Sequence, residues 1–97
     1  MTKNIYLLGS TGSIGETALN VIKKNKKHFS VKLLTTNKNV KKLYKQAMQF
    51  NVKEVVIFYK KYYFKYFLKF KKKKIKVYFS IDDVLKNNKK NTREIYR

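Results

Sequence analysis

All three glycines of the chain fall in one short window, Gly9-Ser10-Thr11-Gly12-Ser13-Ile14-Gly15. No glycine follows it, and no proline occurs anywhere. Glycine reaches backbone conformations that other residues avoid, so this concentration predicts a turn that needs unusual backbone freedom. The window follows an apolar run, Ile5-Tyr6-Leu7-Leu8, and precedes a helix-like stretch from Glu16 to Asn25. A strand, a glycine-rich turn and a helix N-terminus together make the phosphate-cradling start of a dinucleotide-binding fold.

The remaining composition bounds what surrounds that turn. A chain of 97 residues is one small domain or part of a larger one. Its 43% hydrophobic and 15% aromatic content supplies a core and excludes wholesale disorder. The absence of cysteine excludes disulfides and thiolate metal sites. No run reaches the roughly 18 consecutive apolar residues of a membrane span. The strand expected from Asn4 leaves no room for a signal or transit peptide, so a soluble cytoplasmic protein is expected.

The net charge of +20 invites a polyanionic partner. All but Arg93 and Arg97 of the 25 basic residues are lysine, however, whereas phosphate binding favours the planar fork of arginine. Lysine, asparagine, tyrosine, phenylalanine and isoleucine, all plentiful, share A- and T-rich codons, while alanine occurs only at Ala18 and Ala47. Drift of the gene toward A+T accounts for the basicity as a solvated face, with no specific nucleic acid and no membrane as partner. The alternative is a lysine-rich module for nucleic acid or other anions. Its binding would have a steep salt slope that survives Gly12→Val.

Asn4 to Leu8 reads as a buried strand. The helix after the turn places Ile14, Ala18, Val21 and Ile22 on one face, with lysines near its C-terminal end. Phe29 to Thr35 is the second strand. Asn39 caps a helix carrying Leu43, Ala47, Met48 and Phe50, and Glu54 to Phe58 is the third strand. Tyr59, Tyr62, Tyr63, Tyr66, Phe67 and Phe70 then form an apolar helical face opposite Lys61, Lys65, Lys69 and Lys72. Ile75 to Phe79 is the fourth strand, and Ser80 with Asp83 opens a short capped helix through Leu85. The alternation predicts an α/β fold: a Rossmann-like parallel sheet with flanking helices, of about four βα units over residues 3–85. Residues 86–97 read as a polar, frayed tail.

Within the glycine window, Gly9 permits a tight exit from the strand, Gly12 close approach of the backbone to a pyrophosphate, and Gly15 close packing of helix on strand. Ser10, Thr11 and Ser13 add hydroxyls, and the amides at the helix start add donors. A Walker loop is excluded because Glu16-Thr17 follows Gly15 where Lys-Ser or Lys-Thr is required. An NAD site would place a carboxylate at the end of the second strand. That place holds Thr35-Thr36-Asn37-Lys38-Asn39, which suits a 2′-phosphate and so NADPH.

The segment Leu7 to Gly15, with Thr17-Ala18-Leu19-Asn20-Val21-Ile22 after it, closely resembles the start of the 1-deoxy-D-xylulose 5-phosphate reductoisomerase family. His28-Phe29 and Lys38-Asn39-Val40 also stand where that family's pattern has them. The resemblance implies a homodimeric enzyme dependent on NADPH and on divalent magnesium or manganese. It rearranges and reduces 1-deoxy-D-xylulose 5-phosphate to 2-C-methyl-D-erythritol 4-phosphate in non-mevalonate isoprenoid biosynthesis. The resemblance further implies cofactor contacts at Thr11, Gly12, Ser13 and Ile14, and at Lys38 and Asn39 for the 2′-phosphate. Asn37 stands where the family commonly has glycine. Another NADP-dependent reductase with the same turn is the alternative within this class.

The family runs to several hundred residues, and its metal-binding carboxylates and substrate ligands lie beyond position 97. The five carboxylates here, Glu16, Glu54, Asp82, Asp83 and Glu94, form no metal constellation, and His28 belongs to a turn. No catalytic residue is expected in this chain, which reads as an N-terminal piece or the product of a truncated gene. Its first strand is expected to have an open outer edge.

Overall fold

A computed structural model describes residues 2–87 and 95–96. Five strands and four helices alternate: β1 (Lys3–Leu7), α1 (Ser13–Lys24), β2 (Phe29–Thr36), α2 (Val40–Gln49), β3 (Glu54–Ile57), α3 (Lys60–Lys71), β4 (Lys76–Tyr78), α4 (Ile81–Asn87) and β5 (Ile95–Tyr96). The strands form one sheet in the order β4-β3-β2-β1-β5, and every pairing is parallel. The Rossmann-like α/β expectation therefore holds.

Strand order explains how the helices divide. From β1 to β4 each strand joins the edge made by its predecessor. Leu19 and Ile22 of α1, Val40, Leu43 and Ala47 of α2, and Phe70 of α3 accordingly share one cluster with Ile5, Leu34, Val55 and Ile57. After β4 the chain returns to the far side of β1. Its helix α4 packs Val84 and Ile81 on the opposite sheet face, against Tyr6, Leu33, Val56 and Tyr78. Parallel strands covered on both faces read as continuous apolar runs, which is how β1 and β3 are legible in the sequence.

Capping also follows the residues. The Asn39 side chain accepts a hydrogen bond from the Lys42 amide at 3.4 Å, and Ser80 Oγ accepts one from the Asp83 amide at 3.2 Å. Such oxygens satisfy donors that the first helical turn leaves unpaired. Asp82 and Asp83 charge the first turn of α4, where the helix dipole favours them.

Several expectations are corrected. The buried face of α1 is Gly15, Leu19 and Ile22, whereas Ile14 is 77% exposed and Val21 is also outside. Gly15 must face the turn at Gly9 and Ser10, since only a residue without a Cβ fits there, and that rotation carries Ile14 outward. Met48 of α2 is likewise exposed. The outer edge of β1 is not open throughout, because Tyr6 and Leu7 pair with Ile95 and Tyr96. α4 also runs to Asn87, past the expected Leu85. The rest of the expected tail, 88–94 and 97, lies outside the described residues.

Candidate functional site at the carboxyl edge of β1 and β2

The strand order reverses at β1, which has β2 on one side and β5 on the other. In open α/β sheets, ligands bind beyond the carboxyl ends of the strands at such a switch point. The glycine turn occupies that place. Gly9 leaves β1 with φ +73°, a left-handed value that glycine adopts without strain. Gly12 then stands in extended conformation as the N-cap of α1, and its carbonyl accepts the first helical bond from the Glu16 amide at 2.9 Å. Amides ahead of Glu16 have no partner within the helix. Among the described residues no side chain caps α1. The Gly12 amide turns back to donate to the Gly9 carbonyl at 3.2 Å, so the exposed positions Ser13 and Ile14 present the backbone donors at the positive end of a helix dipole, the arrangement that receives phosphate.

Gly15 explains how close the turn lies to the helix. A Cβ at Gly15 would stand 2.6 Å from Ser10 Cα and 2.7 Å from its carbonyl carbon, closer than nonbonded atoms approach. A Cβ at Gly12 would come no nearer than 3.7 Å to the protein. Packing within the protein therefore does not require glycine at position 12, whereas it does at position 15.

Buried hydrogen bonds join the turn to the second unit. The Gly9 amide donates to Thr35 Oγ1 at 2.6 Å, and the Ser10 amide donates to the Thr35 carbonyl at 3.0 Å. The Thr11 and Thr36 hydroxyls share a bond of 2.7 Å. Ser10 is fully buried rather than ligand-facing: its hydroxyl donates to Gln46 Oε1 at 2.8 Å, and Gln46 Nε2 donates back to the Ser10 carbonyl at 2.9 Å. Buried polar groups must be paired, and this reciprocal pair shapes the turn from beneath. Sequence reasoning does not single out the supporting roles of Thr35, Thr36 and Gln46. The available signal for Gln46 is a polar side chain on the apolar stripe of Val40, Leu43 and Ala47.

The structure brings the two expected segments together. Thr36, bonded to Thr11, directly precedes Asn37, Lys38 and Asn39, all exposed beyond β2. Asn39 is engaged as the α2 cap, and the Lys38 ammonium lies 4.6 Å from the ring centroid of Tyr59, beyond β3. Glu16, in the first turn of α1, pairs with Lys42 of α2, which offsets its repulsion of an anion. His28 lies at the other end of the sheet, where its carbonyl accepts from the Lys3 amide at 2.9 Å. Among the described residues no group of three or more His, Cys, Asp or Glu could hold a metal ion. No helix among them is long and apolar enough to cross a membrane.

A doubly covered parallel sheet with an anion-ready turn at its switch point defines a Rossmann-like α/β domain. The family model for 1-deoxy-D-xylulose 5-phosphate reductoisomerase matches residues 5–95. The chain belongs to that family. It is 54% identical over 55 residues to the reductoisomerase of Pelagibacter ubique, covering 57% of this chain and 14% of the relative. It is 51% identical over 57 residues to that of Porphyromonas gingivalis, covering 59% and 15%. The matched segment thus spans about a seventh of the length of these curated relatives. Among solved structures, the Zymomonas mobilis enzyme in complex with NADPH aligns with a TM-score of 0.78 at 29% identity, covering 89% of this chain and 23% of that one. A reductoisomerase in complex with NADPH, fosmidomycin and magnesium shares the fold, with a TM-score of 0.74 at 18% identity over 96% of this chain and 23% of that one.

Proposed function

We propose that residues 3–85 are the NADPH-binding part of an enzyme that isomerises and reduces 1-deoxy-D-xylulose 5-phosphate to 2-C-methyl-D-erythritol 4-phosphate, a step of non-mevalonate isoprenoid biosynthesis. The observation that carries this reading is the uncapped start of α1 behind Gly12, tied through Thr11 and Thr36 to the segment holding Lys38. Thr11, Gly12, Ser13 and Ile14 line the pyrophosphate, with Ser13 and Ile14 supplying backbone donors, Gly12 leaving room for its approach, and Gly9 letting the turn form. Asn37, Lys38 and Asn39 receive the 2′-phosphate, with Lys38 supplying the charge. Ser10 and Gly15 act from inside, Ser10 tying the turn to Gln46 and Gly15 letting α1 approach the turn backbone at Gly9 and Ser10.

When bound, the cofactor supplies the hydride for reduction. The described residues offer no ligand set for the divalent metal of the family, and this reading assigns them no catalytic side chain. Homodimeric assembly and a cytoplasmic location belong to the same proposal, measurable by sedimentation and fractionation of the native-length protein.

Calorimetric titration of the native-length protein with NADPH and NADH tests the reading. Gly12→Val should abolish binding of both, because its side chain enters the space the pyrophosphate needs. Lys38→Glu should weaken NADPH far more than NADH. Equal losses from Lys38→Glu would refute the 2′-phosphate assignment.

A further inference from the structure

We infer that Tyr59 is a positioning residue for cofactor choice: its ring holds the Lys38 ammonium where a 2′-phosphate arrives. The inference rests on the NADPH reading above and adds a residue from the third βα unit to a site otherwise built from the first two.

Three observations carry it. The Lys38 Nζ lies 4.6 Å from the Tyr59 ring centroid, within the range where the negative face of an aromatic ring attracts a cation. The ring is itself held in place. Tyr62 meets it edge-on at 4.9 Å and 85°, and Tyr66 meets Tyr62 at 5.8 Å and 82°. Tyr62 and Tyr66 pack against the main core, so the orientation passes from the core through two rings to an exposed lysine. Finally, the Tyr59 amide donates to the Asn37 carbonyl at 3.2 Å, which keeps the two loops side by side independently of the Tyr59 side chain.

A free lysine side chain explores many rotamers, and fixing one on binding opposes affinity. An ammonium already resting on a ring has lost part of that freedom. It carries three donors, so contact with the ring leaves others for phosphate oxygens. The effect concerns only the ligand with a 2′-phosphate. Tyr59 is 37% exposed, so replacing it leaves the buried core intact.

The test titrates the native-length protein and its variants with NADPH and NADH, with thermal melts as a folding control. Tyr59→Leu should raise the Kd for NADPH about threefold to fivefold, the size of an exposed cation–π contact, and leave NADH unmoved. Tyr59→Phe, which keeps the ring face, should retain the wild-type ratio. In a Lys38→Met background Tyr59→Leu should cost NADPH nothing further. An unchanged ratio in Tyr59→Leu, equal losses for both cofactors, or a loss in Tyr59→Phe matching that in Tyr59→Leu would overturn the inference. In each of those cases a wild-type preference for NADPH that Lys38→Met removes would leave the proposed function standing. A wild type with no such preference would overturn both.

Discussion

The glycine turn and helix α3 answer to different constraints. Between Gly9 and Gly15, backbone meets backbone: a single added methyl at Gly15 collides with main-chain atoms of Ser10 that have nowhere to go. On α3, side chains meet side chains. Phe70 is fully buried, Tyr62, Tyr63, Tyr66 and Phe67 are half-buried, and Phe64 and Leu68 stand 59% and 57% exposed among lysines. A backbone contact admits one residue type, whereas a packed face requires only enough apolar area in roughly the right place. Drift toward lysine and aromatic residues can therefore act on α3 while the turn keeps its glycines.

The contrast can be broken or sharpened by substitution, with native-length protein followed by urea denaturation and cofactor titration. The largest loss of stability should come from inside α3. Phe70→Ala removes a fully buried ring and should cost about 4 kcal/mol. The NADPH to NADH ratio should stay unchanged in the folded fraction, and a shifted ratio would mean that α3 reaches the site through its core face. Gly15→Ala should cost about 3 kcal/mol through overpacking and also weaken both cofactors. A neutral Gly15→Ala would show that the turn yields, and would erase the difference between the two regions. Gln46→Leu strips partners from buried Ser10 and should cost about 2 kcal/mol. Cofactor affinity should fall with it, since the turn loses its support. The smallest effect belongs to the outer surface of α3, where Phe64→Ser should change stability by no more than about 0.5 kcal/mol.

Much of this arrangement is legible in the residues themselves. The order of strands and helices through α4 follows from apolar runs and helical spacing, and both named caps, Asn39 and Ser80, do the work their types suggest. The rotation of α1 is not legible from periodicity. Ile14, Ala18, Val21 and Ile22 make a plausible stripe, but the close approach at Gly15 overrides it, and a moment over apolar residues gives glycine no direction. Ser10 misleads because a hydroxyl in a phosphate-type turn looks ligand-facing, and only the position of α2 reveals Gln46 as its partner. The pairing of Ile95 and Tyr96 with β1 leaves no signal along the chain, because two residues carry no period.

By itself the sequence determined the fold class, the place of the turn and the lysine just beyond β2. These depend on local propensity, glycine conformation and the presence or absence of charge, all written along the chain. Only the tertiary structure decided which turn residues face outward, which polar groups support them from within, and that the ring of Tyr59 meets Lys38. Those contacts join residues far apart in sequence, and their geometry is set by strand order and by how closely each helix can approach the sheet.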